Sequence, residues 1–319
     1  MPVEIPKESW TSRVLEVTLG ATPAEGGTRG SKVTVGGEST LPFLHYEGQT
    51  PHRPVIAVEV LDRRPDDWSP LLLEAWGNAM DDPAAWAAKG VSLGAGLVTL
   101  RLESCHPDKG GRSPADAANT VKAVLRAVDV PLIVLGPGQA DVDNDVLVAV
   151  AEAAAGERLV LGLCEDKNYR TIVAAALANK HLVVASSPID VNLAKQLNIL
   201  ISDMGLPLEN ILIDPTTGAL GYGLEYTYSV MERLRIAALT GDKMTMLPFF
   251  CTAGLESWRQ KESKVGTGVP ETWGNFGERA LAWEVATATA LLMAGADILV
   301  LRHPESIQRM VQVVGRLIG

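Results

Sequence analysis

From residue 54 onward, short runs rich in Val, Ile and Leu alternate with longer amphipathic stretches. The runs are Pro54 to Val60, Leu97 to Leu102, Pro131 to Leu135, Leu159 to Leu163, Leu182 to Ala185, Ile211 to Ile213, Thr245 to Phe250 and Asp297 to Leu301. Each is mostly apolar with no clean alternation, the pattern of parallel strands covered on both faces. The stretches between them carry helix signals. Asp82-Pro83 reads as N-cap and first helical residue, with Gly90 as the closing glycine. Asp190 caps a helix with Leu193, Leu197, Leu200 and Met204 on one face, stopped by Gly205 and Pro207. Pro304 opens the last helix, with a stripe of Ile307, Met310, Val311, Val314 and Leu317.

Eight strand-then-helix units repeating every ~35 residues predict an α/β fold, a (β/α)8 barrel of the TIM type over residues 53–319. An open doubly wound sheet would normally show a glycine fingerprint after its first strand, and no GxGxxG follows Val60. Residues 1–52 differ in character. Val14 to Leu19 and Lys32 to Val35 alternate like half-exposed strands across a Gly-rich link, which predicts an N-terminal β-hairpin extension acting as a plug or flap. A second departure is the stretch from Cys251 to Gly277, a long loop bearing Trp258 and Trp273, of the kind that contacts ligands or partners or packs over its own rim.

Composition narrows the function. The chain has 319 residues with 28 Lys and Arg against 38 Asp and Glu, a net charge of −10, the wrong sign for neutralising nucleic-acid phosphates. The apolar run from Val285 to Ala296 is shorter than the roughly 20 residues a bilayer span needs. Met1 to Trp10 has no apolar signal-peptide core, and a cytoplasmic location is expected. Cys105, Cys164 and Cys251 are too few and too scattered for a disulfide framework or a CxxC metal site, and they suit a reducing compartment.

In a barrel of this type, ligands meet the C-terminal ends of the strands. There the sequence places Asp62 and Arg63, Cys105 and His106, Gly136-Pro137-Gly138, Asp166 and Asn168, Ser186 and Ser187, Asp214 with Thr216 and Thr217, Thr252, and Arg302 with His303. The candidate cofactor contacts among them are Asp62, His106, Gly136, Asp166, Asn168, Ser187, Asp214, Thr216 and Arg302. Asp214 opens Asp-Pro-Thr-Thr-Gly, where a strand-end carboxylate accepts hydrogen bonds either from a pterin-like edge or from the amides of its own turn. His303, directly before Pro304, reads as a helix N-cap. No GxSxG elbow, HExxH or Walker loop is present, so the rim lacks an obvious catalytic engine.

Several runs taken together carry a family likeness: Thr34 to Phe43, Val58 to Asp62, Ile213 to Gly218 with Gly221-Tyr-Gly223, Trp273-Gly274, and Gly295 to Asp297 with Arg302-His-Pro304. Across nearly the whole chain they resemble the small subunit of the corrinoid iron-sulfur protein of the acetyl-CoA synthase/CO dehydrogenase system. Its archaeal counterpart is the delta subunit of acetyl-CoA decarbonylase/synthase. The resemblance implies a barrel without catalytic residues of its own, paired as a heterodimer with a large subunit that bears the [4Fe-4S] cluster and a cobalamin domain. Cobalamin would be shared between the two. A methyl group would come from methyltetrahydrofolate through a separate methyltransferase and pass to acetyl-CoA synthase. The Asp-Pro-Thr-Thr-Gly element alone also resembles pterin-binding barrels, which leaves a pterin-dependent methyltransferase as the alternative. A lyase or aldolase barrel would need a strand-end lysine, and Lys167 and Lys243, the nearest, lie outside the strands.

Overall fold

A computed structural model describes residues 5–318, so the outermost residues of the two expected units, Met1 and Gly319, lie outside it. Eight parallel strands close into a barrel in the order β10-β3-β4-β5-β6-β7-β8-β9. They are β3 (Val55–Leu61), β4 (Leu97–Arg101), β5 (Leu132–Leu135), β6 (Val160–Cys164), β7 (Leu182–Ser186), β8 (Ile211–Asp214), β9 (Phe249–Cys251) and β10 (Ala296–Leu301). Around them lie α1 (Pro70–Trp76), α2 (Pro83–Ser92), α3 (Pro114–Ala127), α4 (Ala140–Ala153), α5 (Tyr169–Asn179), α6 (Val191–Asp203) and α7 (Leu224–Leu239). The ring is completed by α8 (Ala253–Ser257), α9 (Lys261–Lys264), α10 (Phe276–Met293) and α11 (Pro304–Ile318).

Alternation within each strand divides the apolar residues into two cores. Ile56, Val58 and Val60 of β3 face the helices, while Val55 and Ala57 join Leu97, Ile133, Leu135, Val184, Phe250 and Val300 inside the barrel. The lumen is filled, as a small barrel requires. Its lower end is closed by β1 (Val17–Leu19) and β2 (Val33–Val35), an antiparallel pair whose Val17, Leu19 and Val35 belong to the same inner core. The hairpin therefore plugs the N-terminal mouth. Arg29, 2% exposed, anchors the link between its strands, donating to Glu157 and to the carbonyls of Leu125 and Val128 at the end of α3. Nearby, Arg235 bridges Glu38 of the extension (3.4 Å) and Asp297 at the start of β10 (3.0 Å). Burial, together with Asp297, pushes the Glu38 carboxyl up to about 8.

Asp82 and Asp190 cap their helices as expected, donors being Ala84 N–H for the first and Asn192 and Leu193 N–H for the second. Four local readings need correction. Gly90 does not close α2, which runs on to Ser92. It lies mid-helix because a Cβ there would come within 2.6 Å of Val58 Cγ1, and the left-handed residue beyond the helix is Gly94. On α6 the buried face is Ala194, Leu197, Asn198 and Ile201, and Leu193 is 45% exposed. On α11, Val311 is exposed. Strand β9 begins at Phe249, not Thr245, because Lys243–Thr245 forms a 3-10 turn capped by Asp242.

The stretch from Cys251 to Gly277 is also no open loop. It holds α8, α9 and the 3-10 turn Glu271–Trp273. Trp258 is 2% exposed, and its ring stacks on His303 at 5.7 Å and 14°. Trp273 is half-buried against Arg279.

Candidate functional site: the C-terminal face of the barrel

With the lower mouth plugged, access to the barrel is from the C-terminal end. Asp214 closes β8, and its neighbour across the ladder is Ser186 at the end of β7. Ser186 Oγ donates to Asp214 Oδ2 (3.0 Å), and the Thr216 amide donates to Oδ1 (3.0 Å). Thr216 is held at φ 61°, a left-handed conformation that a threonine adopts only under constraint, and its Oγ1 donates to the Ser187 carbonyl. Its own carbonyl accepts from Thr227 Oγ1 (2.8 Å). The turn is thus tied to β7 and to α7.

Above this turn opens a cavity of about 610 Å³ lined by Glu165, Asp166, Lys167, Ser186, Ser187, Pro188 and Thr216. It adjoins a hollow of about 300 Å³ that shares Asp166 and the two serines and is walled by Leu193, Leu197 and Leu200. One wall is apolar and the floor is hydroxyl-rich, which suits a large ligand with an apolar face and amide or hydroxyl edges.

Burial pushes the Asp214 carboxyl up to about 6, although Ser186 and the Thr216 amide oppose the rise. The sign follows from proton binding: the folded state holds this proton more tightly than the unfolded chain does. The stabilisation is therefore complete below the ordinary value of 3.8 and is lost as pH rises through about 6. Asp214→Asn mimics the protonated form, so it should flatten the stability profile between pH 4 and 7 by about 2 kcal/mol. Urea denaturation across that range checks this, and an unchanged slope would assign the titration to another group.

The other expected positions have local duties. Asp62 accepts from the Ser104 amide (2.8 Å) and from its hydroxyl, clamping the turns after β3 and β4. Gly136 is needed because a Cβ would come within 2.2 Å of Asp143 Oδ1, and that oxygen accepts from the Gly138 amide (2.9 Å). Asn168 accepts from the Glu165 amide (2.7 Å) and donates to the Leu163 carbonyl (3.1 Å), so its side chain serves its own turn. His106 is half-buried and accepts from the Asp108 amide through Nδ1 (3.2 Å). His303 does the same for Glu305 (3.1 Å) at the start of α11, the N-cap role its place before Pro304 predicts. Ser187 and Thr216 therefore meet Asp166 in the cleft above Asp214, whereas Arg302 borders a separate, smaller hollow.

Three charged residues at the C-terminal face, Glu59, Arg101 and Glu284, escaped the sequence reading. Glu59 of β3 and Arg101 of β4 continue the lumen-facing series 55, 57, 59 and 97, 99, 101, and Glu59 accepts from Arg101 Nε (3.1 Å) and from Arg302 Nε. Burial would raise the Glu59 carboxyl, yet Arg302 and Arg101 overcome it and hold it at about 2. The signal was there: one acid and one base, each on the inner face of an apolar run. Glu284 of α10 is fully buried and accepts from the amides of Arg302 (2.6 Å) and His303 and from Ser306 Oγ (2.6 Å), capping α11 from another helix. Nothing local in the sequence marks it.

The cysteines are buried thiols. Burial pushes Cys105 up to about 11 and also raises Cys164 and Cys251. Among the described residues, no group of three or more His, Cys, Asp or Glu side chains is arranged to hold a metal ion, and no helix is long and apolar enough to cross a membrane.

Residues 16–316 match the family model described as CO dehydrogenase/acetyl-CoA synthase delta subunit. The chain belongs to this delta subunit family. Among relatives, the acetyl-CoA decarbonylase/synthase complex subunit delta of Methanosarcina mazei is 38% identical over 316 residues, covering 97% of this chain and 72% of that protein. The Archaeoglobus fulgidus subunit delta is 38% identical over 324 residues, covering 98% and 70%. As a delta-family barrel the chain is also similar in fold to dihydropteroate synthase of Xanthomonas albilineans, with TM-score 0.56 and 17% identity over 85% of this chain and 95% of that one. At that identity the likeness speaks for the barrel alone.

Proposed function

We propose that this delta-family chain is the barrel subunit of a corrinoid methyl carrier, and that its C-terminal face covers one side of a cobamide held by a large iron-sulfur subunit. The observation that carries the reading is the cleft over Asp214. It gathers hydroxyls, the carboxylates of Glu165 and Asp166 and an apolar wall, with no nucleophile and base poised against each other. That donor set fits a corrin, whose broad face is apolar and whose rim carries neutral amides that pair with hydroxyls and carboxylates. Asp166, Ser187 and Thr216 would hold amide edges, with Asp214 beneath them fixing the Thr216 turn. Asp62, Gly136 and Asn168 keep the neighbouring turns in place, and His106 and Arg302 flank the opposite side of the mouth. When bound, the corrinoid supplies the methyl-carrying chemistry, while these residues orient it and exclude water from one face.

The [4Fe-4S] cluster belongs to the large subunit in this reading, and the barrel supplies no ligand to it. The methyl group arrives from methyltetrahydrofolate through a separate methyltransferase and leaves to acetyl-CoA synthase. A cytoplasmic location goes with that chemistry.

The test is corrinoid absorbance after copurification. The chain alone is expected to be colourless and, mixed with the large subunit, to yield a pair retaining one corrinoid. Leu193→Asp puts a charge on the apolar wall at an exposed position, so it should lower corrinoid retention at least several-fold without unfolding the barrel. Full retention by the variant would place the contact elsewhere. Methyl transfer from methyltetrahydrofolate to added cobalamin by the free chain would instead favour a pterin-dependent methyltransferase.

A further inference from the structure

Two guanidinium groups at the top of the lumen are each engaged through one nitrogen. Arg101 and Arg302 direct their Nε atoms at the two oxygens of Glu59, and among the described residues their Nη atoms have no hydrogen-bond partner. Arg302 is 6% exposed, and its plane is fixed by Trp68, whose ring centre lies 4.4 Å from Cζ. One carboxylate between two guanidiniums leaves one positive charge over within the triad. A hollow of about 100 Å³ opens beside Arg302, between Trp68 and Trp258, and Arg259 and Lys264 also border it. Arg259 is engaged by Glu256 (2.7 Å), whereas Lys264 has no ion-pair partner among the described residues. Two carboxylates face the same hollow: Glu103, paired with Arg63 (2.9 Å), and Asp67.

We infer that this hollow is a binding site for a small oxyanion, a phosphate or carboxylate group, seated on the free Nη edge of Arg302 with Lys264 as the second cation. The Nη pair of a guanidinium held rigid by an aromatic face and a buried carboxylate is preorganised for two parallel hydrogen bonds to such a group. Arg101 offsets the charge of Glu59, so Arg302 and Lys264 supply the positive charge a ligand meets beside Asp67 and Glu103. A hollow of about 100 Å³ has room for one tetrahedral or planar oxyanion group. The site is built from this chain alone and stands across the mouth from the Asp214 cleft, so anion binding can be measured without the corrinoid.

Isothermal titration of the purified full chain with inorganic phosphate, and separately with acetate, at low ionic strength tests it. One saturable site of millimolar affinity or tighter is expected for at least one anion. Tighter phosphate binding points to a phosphate-bearing small molecule, and tighter acetate binding to a carboxylate. Arg302→Gln should weaken the preferred anion at least ten-fold. That change also frees Glu59, so Lys264→Gln, at an exposed position, is the variant that leaves the core untouched, and it should weaken binding at least three-fold. Lys122→Gln, exposed on α3, should change nothing. The inference is overturned if neither anion gives saturable binding, or if Lys264→Gln and Arg302→Gln bind as the unaltered chain does.

Discussion

Glu59→Gln is expected to lower the unfolding free energy by about 3–5 kcal/mol, the range typical of breaking a buried ion pair by removing one partner. Glu59 is 1% exposed and is the shared acceptor of Arg101 and Arg302. A neutral amide leaves two guanidiniums facing each other in the lumen and presents an NH2 to one of them. The cost should be specific to the imbalance. Replacing all three by apolar residues of similar length, Glu59→Leu with Arg101→Met and Arg302→Met, should restore much of the loss. The pH dependence carries the same sign. Because the folded carboxyl is held at about 2, its stabilisation is present above the ordinary value of 4.5 and is lost as pH falls toward 2. Guanidinium chloride denaturation of the single and triple variants checks both statements. A single variant within 1 kcal/mol of the unaltered chain would mean that water reaches the triad.

Trp258→Ala should cost about 3–5 kcal/mol, as truncation of buried aromatics generally does. The indole fills the space between α8, α11 and the end of β10, stacked on His303, beside the buried Glu284 that caps α11. Its loss should also raise the exchange rates of the first amides of α11. Trp273→Ala, by contrast, removes a half-buried ring from Arg279 and Lys261 and should cost about 1 kcal/mol. Near-UV circular dichroism with urea unfolding separates the two. Equal small effects would mean that Trp258 is not part of the core.

What the sequence made legible is what depends on neighbours along the chain. Runs of Val, Ile and Leu marked the strands, and Asp190 and Pro304 marked helix starts, because caps and propensities act within a few residues. The strand ends were therefore also legible, and with them Ser187, Asp214 and Thr216. What was hidden depends on partners far along the chain. Glu59 meets Arg101 42 residues away and Arg302 243 away, so neither charge announces its neighbour. Trp258 sits in a stretch of Gly and charged residues, and only its packing on His303 makes it core. Leu193 fits an apolar stripe by spacing, but α6 packs through Ala194, Leu197, Asn198 and Ile201, which leaves Leu193 lining the cleft. Asn168 reads as a free rim amide, and the tight turn after β6 consumes both ends of its side chain.

Hydrogen–deuterium exchange of the chain, free and mixed with a corrinoid-bearing large subunit, tests most directly the proposal that the C-terminal end of the barrel meets a corrinoid. Protection is expected at Asp166–Asn168, Ser187–Leu193 and Thr216–Tyr222, with the hairpin at Val17–Val35 unchanged. Protection confined to the hairpin end, with the Asp214 cleft exchanging as in the free chain, would contradict a corrinoid seated on the C-terminal face.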